Sequence, residues 1–252
     1  MEQSPFLLGL TSPVVAALAG IILGAAFVRG LTGFGFAILA VPLMGLVIPP
    51  TDAVILAILL QTWIGPFGVG KSITHVDRRL VSGVALWAMV ATPLGLLALA
   101  QTPDDAARII IAGIAVACFG TFLIKRAPTP NRSWPHVVAT GLSSGLLNGF
   151  AAMPGPPVIL YFVRSGVTPL TARGSMILVF FAAGMAGSLA AFLQGLVTEH
   201  LFLLSLAAFP LMLLGNHIGS RFFGAVEERV WRALVVALLC VATAGALLKL
   251  AT

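Results

Sequence analysis

The chain has 252 residues, of which 59% are hydrophobic and 9% are charged, whereas a soluble domain carries about 25% charged residues. A soluble fold of this size has too much surface for its volume to hide so many apolar side chains, so the composition excludes it. The net charge of +6 does not indicate nucleic acid, because the basic residues form short clusters between apolar runs, as they do in membrane proteins.

Eight apolar runs follow one another and predict an all-α integral membrane protein. Most are near the roughly 20 residues that a helix needs to span the hydrocarbon. The first and fifth runs are longer, and glycine and proline interrupt them at residues 29–35 and 148–157. Each interruption leaves pieces of roughly 10–16 residues, which we expect to be marginal or too short to span alone. The runs cover residues 13–48, 53–70, 80–100, 106–124, 136–163, 174–195, 201–219 and 230–249.

The two halves carry the same features in the same order, which predicts an internal repeat. Gly35 lines up with Pro154, and residues 92–95 line up with residues 216–219 after a five-residue change of register. Internal duplication is a common plan for transporters. Each repeat would hold one broken hairpin followed by three transmembrane helices. The predicted repeats are residues 1–130 and 131–252.

The basic residues predict that the two repeats are inverted relative to each other. If both broken runs are re-entrant hairpins, eleven basic residues share one face, which the positive-inside rule makes cytoplasmic. If all eight runs cross instead, the five from Arg164 onward move to the opposite face and the bias disappears. That alternative, in which the breaks are kinks in spanning helices, stays open. The eleven are Lys71, Arg78, Arg79, Lys125, Arg126, Arg132, Arg164, Arg173, Arg221, Arg229 and Arg232.

The two breaks predict a binding site for a small anion. Irregular backbone at membrane depth is tolerated only where it is buried in protein or lines a wet cavity, and matched breaks point to a transport site. A helix that restarts after a break presents free N–H groups and a partial positive charge, which suit an oxyanion. Alternatively, the glycines only permit close helix packing. The candidate substrate-binding residues at the breaks are Thr32, Gly33, Phe34, Gly35, Phe36, Asn148, Met153, Pro154, Gly155 and Pro156.

Four further polar residues are candidates, each with a structural alternative. Arg29 lies within an apolar run, where charge is costly, and either binds the anion or snorkels to an aqueous face. Gln61 and Ser175 either contact substrate or bond a neighbouring helix, as does Asn148 at the second break. His217 is a candidate for carrying a coupled proton, and its alternative is a structural histidine near the membrane edge.

Catalytic and metal-binding patterns are not evident in the sequence. Cys118 and Cys240 each lie within an apolar run and are interpreted as small hydrophobic residues. We find no paired carboxylates within a run, no zinc-protease pattern and no nucleotide-binding loop. We therefore expect no cofactor, no metal and no enzyme activity.

The sequence is similar to a known family at three places. Residues 32–36 with Val41-Pro42 and Pro49-Pro50 resemble the first signature of the sulfite exporter TauE/SafE family of permeases. Residues 153–158 with Ala172-Arg173-Gly174-Ser175 resemble its second signature. Residues 215–219, Glu228 and Arg232 resemble its closing segment. The resemblance extends over nearly the whole chain, in order and in duplicate.

The resemblance implies a secondary transporter of sulfur-containing anions, such as sulfite or organosulfonates, in a bacterial inner membrane. The chain departs from the family where a double glycine is replaced by Phe34-Gly35-Phe36. Phe34, Phe36, Phe150 and Met153 would line an apolar pocket beside the anion, which suits an organosulfonate. Alternative functions are transport of another small organic anion or a lipid phosphate, and a non-transporting assembly factor. Membrane lipid is an expected partner, and a homodimer is left open.

Overall fold

The protein is all-helical in the residues that the structure, a computed structural model, describes: 11–72, 76–123 and 133–222. Five of its helices are long and apolar enough to cross a membrane: α1, α3, α4, α8 and α9. The predicted class, an all-α integral membrane protein, is confirmed. In chain order the helices are α1 (Ser12–Thr32), α2 (Phe36–Met44), α3 (Pro50–Ser72), α4 (Arg78–Ala100), α5 (Asp104–Leu123), α6 (Trp134–Ala151), α7 (Gly155–Arg164), α8 (Pro169–Leu193) and α9 (Glu199–Arg221).

The described helices fall on the predicted apolar runs, and several begin before them at residues that hydropathy does not select. Asp77, Thr168 and Thr198 each accept a hydrogen bond from a backbone N–H three residues ahead, at 3.2–3.3 Å. Such caps satisfy donors that the first turn of a helix leaves without partners. The predicted run at residues 230–249 lies outside the described residues.

The two interrupted runs form one long and one short helix each. α1 has 21 residues and α2 has 9, while α6 has 18 and α7 has 10. The expectation that every piece is marginal or too short to span was wrong for α1, which extends about 31 Å. The interruption comes late in each run, so one piece keeps nearly the full length.

The centre of the molecule is formed by α3, which packs against α8. Eight consecutive α3 residues, from Ala53 to Leu60, are at most 5% exposed. A helix that is apolar and buried on every side belongs in the interior of a bundle. The helices around it pair across the halves of the chain, because α1 packs along α9 and α6 packs along α4.

Both of these cross-half pairs are built on glycine. A Cβ on Gly30 of α1 would lie 2.7 Å from the backbone N of Ser220, and a Cβ on Gly149 of α6 would lie 2.6 Å from that of Leu96. Neither space admits a carbon atom without moving backbone. In the register read from the sequence, Gly30 is equivalent to Gly149, and Leu96 is equivalent to Ser220. The same contact therefore recurs at equivalent positions of the two halves.

We expect alanine at either close-packed glycine to destabilise the protein by about 1–3 kcal/mol, because the backbones must separate. Gly30→Ala and Gly149→Ala test this by denaturant unfolding in detergent. Gly24→Ala and Gly113→Ala are matched controls, since a Cβ at either position meets nothing within 4 Å. Equal stability in all four variants would show that close helix approach is not required.

Candidate functional site

The first break reverses the backbone within three residues. α1 ends at Thr32, and Gly33 follows with φ 84°, its N–H donating to the carbonyl of Arg29 at 2.6 Å. Gly35 has φ 93°, and α2 begins at Phe36. Both φ values lie in the left-handed region, which glycine enters without steric cost. The glycines therefore end one helix and start the next within a single turn.

The second break repeats this geometry without glycine at the helix end. Ala152 has φ 56°, and its N–H donates to the carbonyl of Asn148 at 2.8 Å. It is equivalent to Gly33, and among the described residues it is the non-glycine residue with positive φ. The Ser144 hydroxyl donates to the carbonyl of Pro154 at 2.8 Å, so the irregular backbone is partly satisfied from within its own hairpin.

The two breaks face each other across one small cavity, which has a volume of about 30 Å³. Gln61 of α3 and Phe180 of α8 complete its wall. These two positions are themselves equivalent in the register of the halves. The residues that line this central cavity are Arg29, Gly33, Phe34, Gly35, Phe36, Ala37, Ile38, Gln61, Ala152, Met153, Pro154, Gly155 and Phe180.

The structure brings most of the predicted site residues to this cavity. Nine of them line it, and they come from both breaks and from α3. The apolar residues proposed beside the anion divide, because Phe34, Phe36 and Met153 line the cavity and Phe150 does not. The nine are Arg29, Gly33, Phe34, Gly35, Phe36, Gln61, Met153, Pro154 and Gly155.

Other predicted residues lie away from the cavity. Asn148 is 1% exposed and donates to the carbonyl of Ala183 at 3.0 Å, so it links α6 to α8, as its structural alternative expected. Pro156 and Ser175 are buried outside the cavity lining. Thr32 ends α1, and its side chain lies outside the described part of the structure.

The proton-coupling candidate His217 is exposed on α9 and does not line the cavity. The carbonyl of His217 accepts a hydrogen bond from the Ser220 hydroxyl at 2.8 Å, which is a local helix contact. The structure therefore gives His217 no link to the central cavity, and its role in coupling stays a prediction.

Gln61 combines the two roles that the sequence left open. Its Nε2 donates to the carbonyl of Ala152 at 3.1 Å, and its side chain also lines the cavity. The bond joins α3 of the first half to the break of the second half. Because Phe180 stands at the equivalent position, the opposite break receives no matching amide.

The donors in the cavity come mainly from the first half. Residues 35–38, where α2 starts, line the cavity. Their backbone N–H groups have no partner within the helix. The start of α7 is poorer in donors, because Pro154, Pro156 and Pro157 have no N–H and Gly155 alone supplies one. Arg29 adds the only guanidinium among the described lining residues. The donors and the positive charge of the cavity thus come mainly from the first half, while apolar side chains from both breaks and from α8 line the rest of it.

Sequence reasoning missed Ala37, Ile38, Ala152 and Phe180 as lining residues. The register of the halves contains the signal for Phe180, since it pairs with Gln61. It also missed that Arg173 of α8 packs against the first break. The Nε of Arg173 lies 3.2 Å from where a Cβ on Gly33 would be. No sequence pattern indicates that contact.

We expect opposite effects on stability from substitutions at the two equivalent helix ends. Gly33→Ala places a side chain in the left-handed region of φ, which lowers the stability by about 1–2 kcal/mol, and it also brings that side chain against Arg173. Ala152→Gly removes the same strain and stabilises by about 1 kcal/mol. Denaturant unfolding of both variants measures the difference. A loss of stability on Ala152→Gly would contradict this account of the second break.

The helices and the cavity define the class of protein as a multi-pass membrane transporter. Its backbone is interrupted at two matched places, and both interruptions line the same cavity. The described residues contain no group of three His, Cys, Asp or Glu side chains that could hold a metal ion.

Comparison with protein families places the chain within this class. Residues 16–246 match the family described as Sulfite exporter TauE/SafE, and the chain belongs to that family. Its members are exporters and permeases rather than enzymes.

One relative described as a probable sulfite/organosulfonate exporter TauE comes from Cupriavidus necator. It is 26% identical over 208 residues, which cover 80% of this chain and 81% of the relative. A comparison with solved structures found no match.

Proposed function

We propose that the protein is a secondary transporter of small sulfur-containing anions such as sulfite or organosulfonates. The substrate would bind at the membrane midplane in the central cavity, and the two halves would rock around it to give alternating access. The observation that carries the proposal is the central cavity itself, lined by equivalent residues of both breaks together with Arg29. A bacterial inner membrane is the proposed location.

The charge and the donors of the cavity favour an oxyanion. A guanidinium within an apolar run costs at least ~2.5 kcal/mol on insertion scales, so Arg29 needs a compensating partner. An anion in the cavity would supply one, while the free N–H groups at residues 35–38 bind its oxygens. Gln61 would hold the anion beside the second break, because its amide already reaches Ala152.

The apolar side chains that line the cavity favour an organic substituent on the anion. Phe34, Phe36, Met153 and Phe180 contribute two rings from the first break, a thioether from the second and a ring from α8. An organosulfonate would place its sulfonate at Arg29 and its carbon chain against these side chains. Sulfite would use the donor groups alone.

Alternating access is supported by the way the halves exchange helices. The first helix of each half packs on a helix of the other half, and the glycine contacts of both pairs are equivalent. Two inverted repeats, residues 1–130 and 131–252, would carry this relation. The pairs α1 with α9 and α4 with α6 would be the two equivalent units around a shared site that alternating access requires.

We expect Arg29→Gln to reduce sulfite or methanesulfonate transport at least 10-fold, because the anion loses its charged partner. Transport is measured in proteoliposomes loaded with sulfite, methanesulfonate, acetate or phosphate, with and without a pH gradient. Arg78→Gln is the control, since Arg78 is exposed at the start of α4. Undiminished transport by Arg29→Gln would remove Arg29 from the site.

The same assay separates the alternative substrates. Preference for acetate or phosphate over both sulfur anions would favour a transporter of another organic anion or of lipid phosphate. Strong preference for sulfite over methanesulfonate would contradict the proposal that the apolar side chains of the cavity contact the carbon part of the substrate. His217→Gln, compared with and without the gradient, tests proton coupling through that imidazole.

A non-transporting assembly factor is the alternative of another class, and it needs no water in the central cavity. We expect Phe34→Cys and Phe180→Cys, in a chain with Cys118 and Cys240 replaced by alanine, to react with a water-soluble maleimide. Bound methanesulfonate, which does not react with maleimide, should slow the reaction, because it fills the same cavity. Leu56→Cys is the unreactive control, since Leu56 is 0% exposed. Absence of labelling at both cavity positions would favour the alternative.

A further inference from the structure

A second cleft lies at the other end of the α6–α7 hairpin and has a volume of about 340 Å³. It shares no described lining residue with the central cavity. We call it the hairpin cleft. Its described lining residues are His136, Ala139, Thr140, Ser143, Pro157, Leu160, Tyr161 and Arg164.

The hairpin cleft has its two ionisable side chains at its mouth, and toward the break it is lined by Pro157 and Leu160 together with Ser143. His136 and Arg164 lie at the ends of α6 and α7 farthest from residues 151–155, whereas Ser143 and Pro157 lie nearest to them. Seven residues separate the two levels on each helix, which makes the cleft roughly 10 Å deep. An elongated molecule with an anionic end matches that arrangement.

Arg164 is the main candidate for binding a ligand in this cleft. It is half-buried, and its Nε is buried without a hydrogen bond to the described residues. The positive charge of Arg164 is favoured at the C-terminal end of α7, where it interacts with the helix dipole. That position leaves its Nε–H without a hydrogen-bond acceptor among the described residues. A guanidinium binds an oxyanion through two parallel N–H groups, which would include Nε.

His136 lies at the same mouth on the facing helix. Its Nδ1 lies 2.7 Å from the Ser133 hydroxyl, so this contact fixes the orientation of the ring. The Nε2 on the opposite edge of the ring is the second polar group at the mouth. The hydroxyl-bearing Thr140 and Tyr161 stand one turn deeper on the two helices.

The other half of the chain shows that the fold does not require these polar groups. At the equivalent positions of α1 and α2, the residues are Ala17 for His136, Ile21 for Thr140 and Gly45 for Arg164. Ser143 and Tyr161 likewise stand opposite Gly24 and Pro42. At these positions the first hairpin has only apolar and small residues, so the hairpin packing does not require an arginine or a histidine there.

We propose that the hairpin cleft binds an oxyanion head group, with Arg164 as its main partner and His136 beside it. The head group is a sulfonate or sulfite from solution, or the phosphate of an anionic phospholipid whose chain follows Leu160 and Pro157. Both sources present the same chemistry to the guanidinium. The site is separate from the central cavity and does not depend on the function proposed for it.

The two sources are distinguished in separate arms of one experiment with purified full-length protein. In the first arm, delipidated protein is titrated with methanesulfonate by calorimetry. In the second arm, native mass spectrometry measures retention of phosphatidylglycerol against phosphatidylcholine. Each arm compares wild type, Arg164→Gln and Arg221→Gln, which removes an exposed arginine at the end of α9.

We expect Arg164→Gln to weaken binding about 10-fold or more in one of the two arms, and Arg221→Gln to leave both unchanged. His136→Gln changes an exposed residue and should weaken the same arm about 2- to 10-fold, which covers the case in which Arg164→Gln fails to fold. Equal behaviour of Arg164→Gln, His136→Gln and Arg221→Gln in both arms would overturn the proposal. Arg29→Gln, titrated in parallel, reports on the central cavity, so the two proposals fail separately.

Discussion

Backbone that leaves the helix inside a membrane must find partners within the protein, and this constraint determines the arrangement of the whole chain. At the first break, Gly33 returns its N–H to the preceding turn. At the second, Ala152 does the same and its carbonyl accepts from Gln61. The N–H groups that the first break leaves without a helix partner belong to residues 35–38, which line the central cavity. An oxyanion in that cavity would complete the same set of partners that the chain itself cannot supply.

The cavity can exist only if the helices around it approach closely from both halves. Glycines on α1, α4, α6 and α9 allow that approach, and they recur at equivalent positions in the two cross-half pairs. Between lipid-exposed helices, such packing takes the place of the hydrophobic driving force that acts in water. The helix packing is equivalent in the two halves, but the residues that line the cavity are not. In the register of the two halves, Arg29 is equivalent to Asn148 and Gln61 to Phe180, so the positive charge and the side-chain amide of the cavity both come from the first half.

The helical class, the two breaks and most of the lining residues could be predicted from the sequence. Hydropathy, glycine and proline carry that information directly, because lipid forces the backbone into helices except where these residues interrupt it. The lengths of the helix pieces could not be predicted, since the interruption lies near one end of each run.

The sequence could not show which groups the polar side chains contact. Asn148 sits at a break, yet it turns to Ala183 on α8. Arg173 reaches the first break from the other half, which depends on how α8 packs. Polar residues at membrane depth bind either a substrate or a neighbouring helix, and only the packing decides between these two outcomes.

The central claim is that the two breaks together hold one oxyanion. Selenite has the charge and shape of sulfite and contains an atom that scatters X-rays anomalously. A crystal of the protein grown with selenite should show an anomalous peak between residues 33–38 and residues 152–155, within hydrogen-bonding reach of Arg29. Selenium bound elsewhere at saturating concentration, with no peak between the breaks, would contradict the account.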